Sequence, residues 1–377
     1  MYVKRALDLK YLLKHKSLLL FGPRATGKTR LIHEELEDAY IFDLLDFETL
    51  QNLNVNPKIL SQVSASLDAS TTIVIDEIQL NPGLLNEVHR IHNSNPERRF
   101  LLTGSSARKL RRGGANLLAG RAWQTSLFPL TSREIPDFDL LRYLNTGGLP
   151  AVYFSEMPTK DLKNYVGTYL KEEIMAESLT RNLPAFNSFL QTVAISNGEE
   201  LNYNSLSSDC GVKASTVKNY FQILDDTLIG FSLPSFKTVR RKSISRSKHY
   251  LFDIGVTNSL ANRSEIIEKS ELFGKAFEHF IILEVRAWNT YSDKDHKLTY
   301  WRSTSKSEVD LIIGKELALE IKSTSSAQNK HLRHLRALKD EGLIKKYALV
   351  SNDRDTRKTE DGIMLYYWKD FIEQLYK

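Results

Sequence analysis

A single cysteine, Cys210, stands in 377 residues, so no disulfide can form within the chain and a reducing, cytoplasmic setting is expected. Long apolar runs are also missing. Runs such as LLLF at 18–21 and FIIL at 280–283 fall far short of the about 20 apolar residues a membrane helix needs. No membrane association is expected, and MYVKRALDLK at the start carries no apolar signal-peptide region. Internal repeats and low-complexity stretches are absent too. No sign of charge dominates: 52 Lys and Arg against 46 Asp and Glu leave +6, so the distribution matters more than the sum. What is present is 41% hydrophobic and 26% charged, the make-up of a soluble globular chain with a sizeable core. The length suggests two to four domains.

Along residues 1–130, short apolar runs alternate with helical patterns, which predicts a parallel α/β sheet. Strands are expected at 17–22, 39–44, 71–77 and 99–104. Residues 131–185 turn helical, a lid broken at NTGGLP (145–150), with one long amphipathic helix over 161–179. Residues 186–249 read as a compact helical segment closing in a basic run. Residues 250–377 read as mixed α/β, with a helix at 275–289 and strands at 297–302, 308–313, 317–322, 347–351 and 363–368.

GPRATGKT at 22–29 is a complete G-x-x-x-x-G-K-T loop between an apolar strand and a helical pattern. Gly22 and Gly27 let the backbone turn its N–H groups toward phosphate, so Gly22, Pro23, Arg24, Ala25, Thr26 and Gly27 form the cradle. Lys28 reaches the terminal phosphates, and Thr29 offers a hydroxyl to Mg²⁺. Asp76, ending the strand TIVID, is the second Mg²⁺ holder, and Glu77 beside it is placed to polarise the attacking water. Together these predict ATP binding and hydrolysis. At the next strand end, Thr103, Ser105 or Ser106 either senses the γ-phosphate or caps the following helix. Arg121 (or Arg133) is either an arginine finger acting on a neighbouring subunit of a homo-oligomer or a surface ion-pair partner.

LNYNSLSSDCGVKASTVKNYFQIL at 201–224 has the shape of a helix-turn-helix, with Ser215 or Thr216 capping a second helix that exposes Lys218 and Asn219. Cys210 suits a small core position at the turn. The run at 235–249 holds Lys237, Arg240, Arg241, Lys242, Arg246 and Lys248 and no acid. It predicts a wing that contacts DNA phosphates with strong salt dependence, although such segments also serve as packing modules, and Asp225 and Asp226 oppose deep groove insertion.

In SEVDLIIGKELALEIKS (307–323) the alternation of a strand puts Glu320 and Lys322 on one face, and a hairpin at 314–316 brings Asp310 beside Glu320. Two carboxylates meeting at a sheet edge repel unless a proton or a cation lies between them. Mg²⁺, or Mn²⁺, is the expected occupant, with the Ile321 carbonyl completing the shell and Lys322 orienting or deprotonating a water for attack on a phosphodiester.

GPRATGKT, TIVIDEIQ, RFLLTGSSARKL, LAGRA and GGLPAVY (147–153) in series resemble a large family of bacterial and archaeal AAA-plus ATPases. The resemblance covers nearly the whole chain. It implies an α/β P-loop AAA-plus core (1–130), a helical lid (131–185), a winged-helix segment (186–249) and a restriction-endonuclease-like domain (250–377). The spacing D-x₉-E-x-K is similar to that of PD-(D/E)xK nucleases, carried by Asp310, Glu320 and Lys322, with EVD in place of PD. Such enzymes often add a helical glutamate, and Glu278 fits that place as a metal ligand; Gln328 or His331 is a further contact. The expected activity is therefore an ATPase coupled to a metal-dependent DNA endonuclease, with branches or ends as candidate targets. The alternatives are an ATP-driven DNA-binding switch whose nuclease fold is inert, and an ATPase that hands a substrate to partners uncut.

Overall fold

Four apolar runs become four adjacent strands in the computed structural model, which describes residues 2–105, 118, 120–170, 183–237, 246–304 and 306–377. The chain divides into two units, the first chiefly Met1–Leu130 and the second chiefly Thr131–Leu170, Thr180–Asp225 and Gly230–Lys377. In the first unit β1 (Ser17–Phe21), β2 (Tyr40–Asp43), β3 (Ile73–Asp76), β4 (Phe100–Gly104) and β5 (Ala122–Ser126) form a parallel sheet in the order β2-β3-β4-β1-β5. The central strands SLLLF, IVID and FLLTG are buried along their whole length, which is why they read as unbroken apolar runs. Leu19, Phe21, Ile75 and Leu102 pack with Leu84, Val88 and Ile91 of the helix Leu84–Ser94 in one core. β5, AWQTS, lies at the sheet edge with a partly exposed pattern, so it carries no apolar signature in the sequence.

A buried arginine closes the far side of this unit. Arg98 donates through Nη1 to the carbonyls of Asp68 (2.6 Å) and Thr71 (2.9 Å) and through Nη2 to those of Ser64 (2.7 Å) and Leu67 (2.9 Å). Its fork thereby satisfies carbonyls left open where the helix Ile59–Ser66 ends.

In the second unit the expected long helix over 161–179 is interrupted. A helix Pro158–Asn164 passes into a π-helical turn Tyr165–Leu170, and the remainder lies outside the described residues. Gly167 sits within that turn, where the missing Cβ weakens the preference for regular α geometry. Next come helices Leu183–Ile195, Tyr203–Cys210 and Ala214–Asp226, the last two joined by a turn in which Gly211 adopts φ 63°. Cys210 is buried there, as expected of a core position. β6 (Gly230–Leu233) then pairs antiparallel with β7 (Lys248–Leu251). The helix Glu271–Tyr291, capped by the Ser270 side chain, leads to β8 (Leu298–Arg302), β9 (Glu308–Ile313), β10 (Leu317–Lys322), β11 (Lys346–Ser351), β12 (Arg357–Lys358) and β13 (Met364–Tyr367). These six strands form a mixed sheet in the order β12-β13-β11-β10-β9-β8.

Two buried acids hold this unit together. Asp253, at the start of the helix Ile254–Leu260, accepts from the Val256 and Gly148 amides at 2.9 and 2.7 Å, and burial raises it to about 6. Glu284 accepts from the amide and the hydroxyl of Ser132, and burial raises it from 4.5 to about 8.

Candidate functional site

The loop after β1 is shaped by two glycines. A Cβ on Gly22 would stand 2.4 Å from the Leu127 carbonyl oxygen, and Gly27 adopts φ 94° as it opens the helix Lys28–Glu35. Lys28 is buried and donates to the carbonyls of Gly22 at 2.7 Å and Pro23 at 3.2 Å, so its ammonium rests inside its own loop. Behind the loop, Arg5 donates to the carbonyls of Thr26 (2.7 Å) and Phe128 (2.6 Å). Arg5 is a residue that sequence reasoning missed: it lies 17 positions before the motif starts at Gly22, and no local pattern marks it.

β4 runs between β1 and β3, so its end reaches the same sheet edge as the loop. Thr29 Oγ1 donates to Asp76 Oδ2 at 2.8 Å, the Thr103 hydroxyl donates to Asp76 Oδ1, and the Glu77 amide donates to Thr103 Oγ1 at 3.1 Å. Glu77 takes a left-handed backbone (φ 59°), and its carboxylate receives the Gln79 amide. Thr103 and Ser105 are both buried, and Ser106 lies outside the described residues. Gln79 was not foreseen. A loop whose backbone closes on glycine and whose lysine already lies beside two oxygens suits a nucleotide's phosphates, and the Thr29–Asp76 pair suits an accompanying Mg²⁺.

Arg121 stands elsewhere. Ala122, next to it, pairs with Ser17 at the start of β1, whereas the loop begins after Phe21 at the other end. Arg121 therefore cannot reach its own chain's phosphates, and its guanidinium lies 2.7 Å from His89 Nδ1. Arg133 of the second unit lies over the Tyr376 ring at 4.1 Å.

In the second unit, β9 and β10 pair through Leu311↔Leu319 and then part. Asp310 fills the opening, accepting the Ile321 amide at 2.7 Å. Lys322 Nζ lies 2.7 Å from Glu320 and 3.6 Å from Asp310, joining the two carboxylates whose meeting the sequence predicts. Burial raises both acids. The neighbouring Asp310 raises Glu320 further, while Lys322 opposes the rise in each. Glu320 Oε2 is buried without a hydrogen-bond partner, and His334 Nδ1 lies 3.8 Å from Oε1. His331 instead caps its own turn, accepting from the Gln328 amide.

Glu278 corrects an expectation. It does not group with Asp310 and Glu320 as a ready cage; among the described residues no three His, Cys, Asp or Glu side chains are spaced to share an ion. Its Oε1 lies 3.4 Å from Lys248 Nζ and accepts from Tyr250 OH at 2.7 Å. Lys248 also reaches Glu308 at 2.6 Å. Burial works against its charge, but Glu278 foremost, with Tyr250, Asp310 and Glu308, holds it well above the ordinary lysine range. A residue expected in the DNA-contacting basic run is thus a buried partner of acids. Of that run, Lys237 and Arg246 are exposed, and Arg240, Arg241 and Lys242 lie outside the described residues. Lys218 and Asn219 are exposed on the helix Ala214–Asp226, whereas Asp225 is tied to His249 and Ser232.

The orphaned Glu320 oxygen and the neighbouring Asp310 carboxylate are hard oxygen donors of the kind Mg²⁺ or Mn²⁺ takes.

Residues 14–136 match the family model described as an AAA domain, and this stretch carries the whole phosphate loop. The first unit thus holds an AAA-type P-loop domain. Residues 137–266 and 273–371 match two domains of unknown function, DUF8612 and DUF4143. The chain is 23% identical over 316 residues to an uncharacterized protein of Methanocaldococcus jannaschii, covering 75% of this chain and 69% of that one. It is 22% identical over 274 residues to an uncharacterized protein of Haemophilus influenzae, covering 67% of this chain and 64% of that one. Among solved structures, similarity extends to the DnaC helicase loader (16% identity, 30% of this chain, 80% of that chain, TM-score 0.22). It extends also to a signal transduction ATPase with numerous domains and a tetratricopeptide repeat sensor, from Pyrococcus horikoshii (15% identity, 78% and 48%, TM-score 0.22). Among the described residues, no helix is long and apolar enough to cross a membrane.

Proposed function

We propose that the chain binds and hydrolyses ATP at the Gly22–Thr29 loop, and that this cycle governs a metal-dependent phosphodiesterase acting on DNA in the second unit. The ATPase half rests above all on the joint hold on Asp76 by Thr29 and Thr103. The loop amides and Lys28 bind and orient the phosphates, while Thr29 and Asp76 would hold a divalent ion, which would balance their charge. Glu77 orients the attacking water and takes up its proton once its carboxylate leaves Gln79. Arg121, at the opposite end of β1 from its own loop, serves a neighbouring copy in a homo-oligomer.

The nuclease half is supported by Lys322 standing between Asp310 and Glu320. Asp310 and Glu320 would hold the ion, which would supply Lewis-acid activation of water and of the scissile phosphate. Lys322, which burial opposes but Asp310 and Glu320 keep protonated, would orient the water or the scissile phosphate. The paired helices 203–226 and the strands β6 and β7 make a winged-helix-like module whose Lys218, Asn219, Lys237 and Arg246 face DNA backbone.

A second reading has a specific observation behind it. Both acid groups are already neutralised by lysines of the chain, Lys322 and Lys248, as in a nuclease-like fold that only grips DNA. One experiment separates the two. The full chain is incubated with linear and branched DNA, ATP, and Mg²⁺ or Mn²⁺, beside Lys28→Ala and Asp310→Ala. Cleavage lost in Asp310→Ala supports the nuclease. ATP turnover without cleavage of any substrate supports the inert switch, and turnover surviving Lys28→Ala overturns the nucleotide site.

A further inference from the structure

Gln79 lies in the 3₁₀ turn Ile78–Leu80 that follows β3, and it is only 7% exposed. Its Nε2 donates to the Glu77 carboxylate, while its Oε1 is buried without a hydrogen-bond partner. A carboxylate only accepts, so the nitrogen faces Glu77 and the oxygen is the half left over. A buried acceptor with no donor has given up water and gained nothing back, so it calls for a partner that arrives later. The oxygen lies over the end of β4. A Cβ built on Gly104 would stand 2.5 Å from it, with Phe21 at 3.7 Å. Gly104 pairs with Phe21, the residue before Gly22, so the free oxygen sits where the phosphate loop begins.

From this arrangement we infer that Gln79 orients the attacking water: its Oε1 accepts one hydrogen of that water while Glu77 accepts the other. The inference rests on the reading of the Gly22–Thr29 loop and Glu77 as an ATP-hydrolysing site, and adds a residue to it. Two acceptors fix both hydrogens of a water and leave a lone pair to face the terminal phosphorus. At rest the amide nitrogen keeps the Glu77 carboxylate beside the place where it is needed. Once the carboxylate leaves that nitrogen, the oxygen of the same amide is at hand for the water. As the water oxygen bonds the terminal phosphorus, the bond to the bridging oxygen breaks and ADP departs. One proton passes to Glu77, and the other stays on the released phosphate. Gly104 completes the device, since a side chain there would displace the amide.

The test compares the full wild-type chain with Gln79→Leu and Gly104→Ala in the presence of Mg²⁺ and ATP. Leucine keeps the bulk beside Phe21 but offers no acceptor. Alanine at 104 pushes the Gln79 amide aside without removing it, and Gly104 has no positive φ, so the backbone bears the methyl group. Turnover is expected to fall about 100-fold in Gln79→Leu and about tenfold in Gly104→Ala. KM and the affinity for a fluorescent ADP analogue should stay within about twofold of wild type. ADP with aluminium fluoride, a mimic of the transferring phosphoryl group, should bind Gln79→Leu about tenfold or more weakly than wild type, although ADP alone binds as before. A merely structural role would weaken both together, and that result overturns the inference. Unchanged turnover in Gln79→Leu overturns it, and so does faster turnover, which would make the amide a restraint on Glu77. Should Gln79→Leu fail to fold, Gly104→Ala is read by the same measurements and the same outcomes decide. Failure of the underlying reading looks different: wild type and Lys28→Ala then bind the ADP analogue alike, or not at all.

Discussion

The hydroxyls of Thr29 and Thr103 donate to opposite oxygens of the Asp76 carboxylate, from a helix start and a strand end 74 residues apart in sequence (103 − 29). Asp76 is thus held in place before any ion reaches it. Asp76→Asn offers an amide group where one of these hydroxyls needs an acceptor, and removes a charge. ATP turnover should fall by about 100-fold or more, the scale on which a preorganised electrostatic contact is usually lost. Phosphate release across a Mg²⁺ titration checks this, and the thermal midpoint should move little.

Gly22→Ala places a methyl group 2.4 Å from a backbone oxygen of the residue just after β5. Backbone cannot step aside as a flexible side chain does, so the loop must deform. ATP binding, followed by a fluorescent nucleotide analogue, should weaken at least about tenfold, as expected when a preformed cradle must be rebuilt on binding.

Arg98→Met keeps much of the volume but removes donors to four carbonyls. Leaving several buried acceptors unpaired should destabilise the first unit by roughly 3–5 kcal/mol. Denaturant unfolding followed by a probe in that unit measures it. Arg98→Lys should recover only part of the loss, because a point charge cannot reproduce the fork.

Glu284 gives the second unit a pH dependence with a definite sign. Burial raises its carboxyl from 4.5 to about 8, so between these values the folded chain keeps a proton the unfolded chain has released. Its contribution to stability therefore falls as pH rises through that window, by up to about 1.4 kcal/mol per pH unit, and is flat above it. Glu284→Gln can still accept from the Ser132 amide and should flatten the slope. Unfolding midpoints from pH 5 to pH 9 (about the window above) decide it, and an unchanged slope counts against a protonated Glu284.

The strands of the first sheet's centre were legible because a strand buried on both faces must be apolar throughout. The phosphate loop was legible because its chemistry is contiguous: Gly22, Lys28 and Thr29 lie within eight residues. β5 was not, since an edge strand facing water reads like a loop. Lys248 was misread because a lysine within a basic run looks solvated, while its burial is decided by Glu278 and Glu308, 30 and 60 residues away. One signal was available: in KHYL, strand alternation puts Lys248 and Tyr250 on the same face, and both reach Glu278. The pairing of Asp310 with Glu320 was foreseeable from hairpin geometry, but the identity of the cation between them was not.

The position of β4 between β1 and β3 has a consequence for the growing chain. Leu18 pairs with Leu101, so the nucleotide site stays incomplete until a strand 83 residues downstream has been synthesised and inserted. Contacts of such long sequence separation form late and slowly. A nascent chain stopped before residue 100 carries the whole phosphate loop yet lacks Thr103, and hence the second hold on Asp76. Nucleotide capture during translation would then mark the moment β4 joins β1 and β3, as a timer of folding set by strand order.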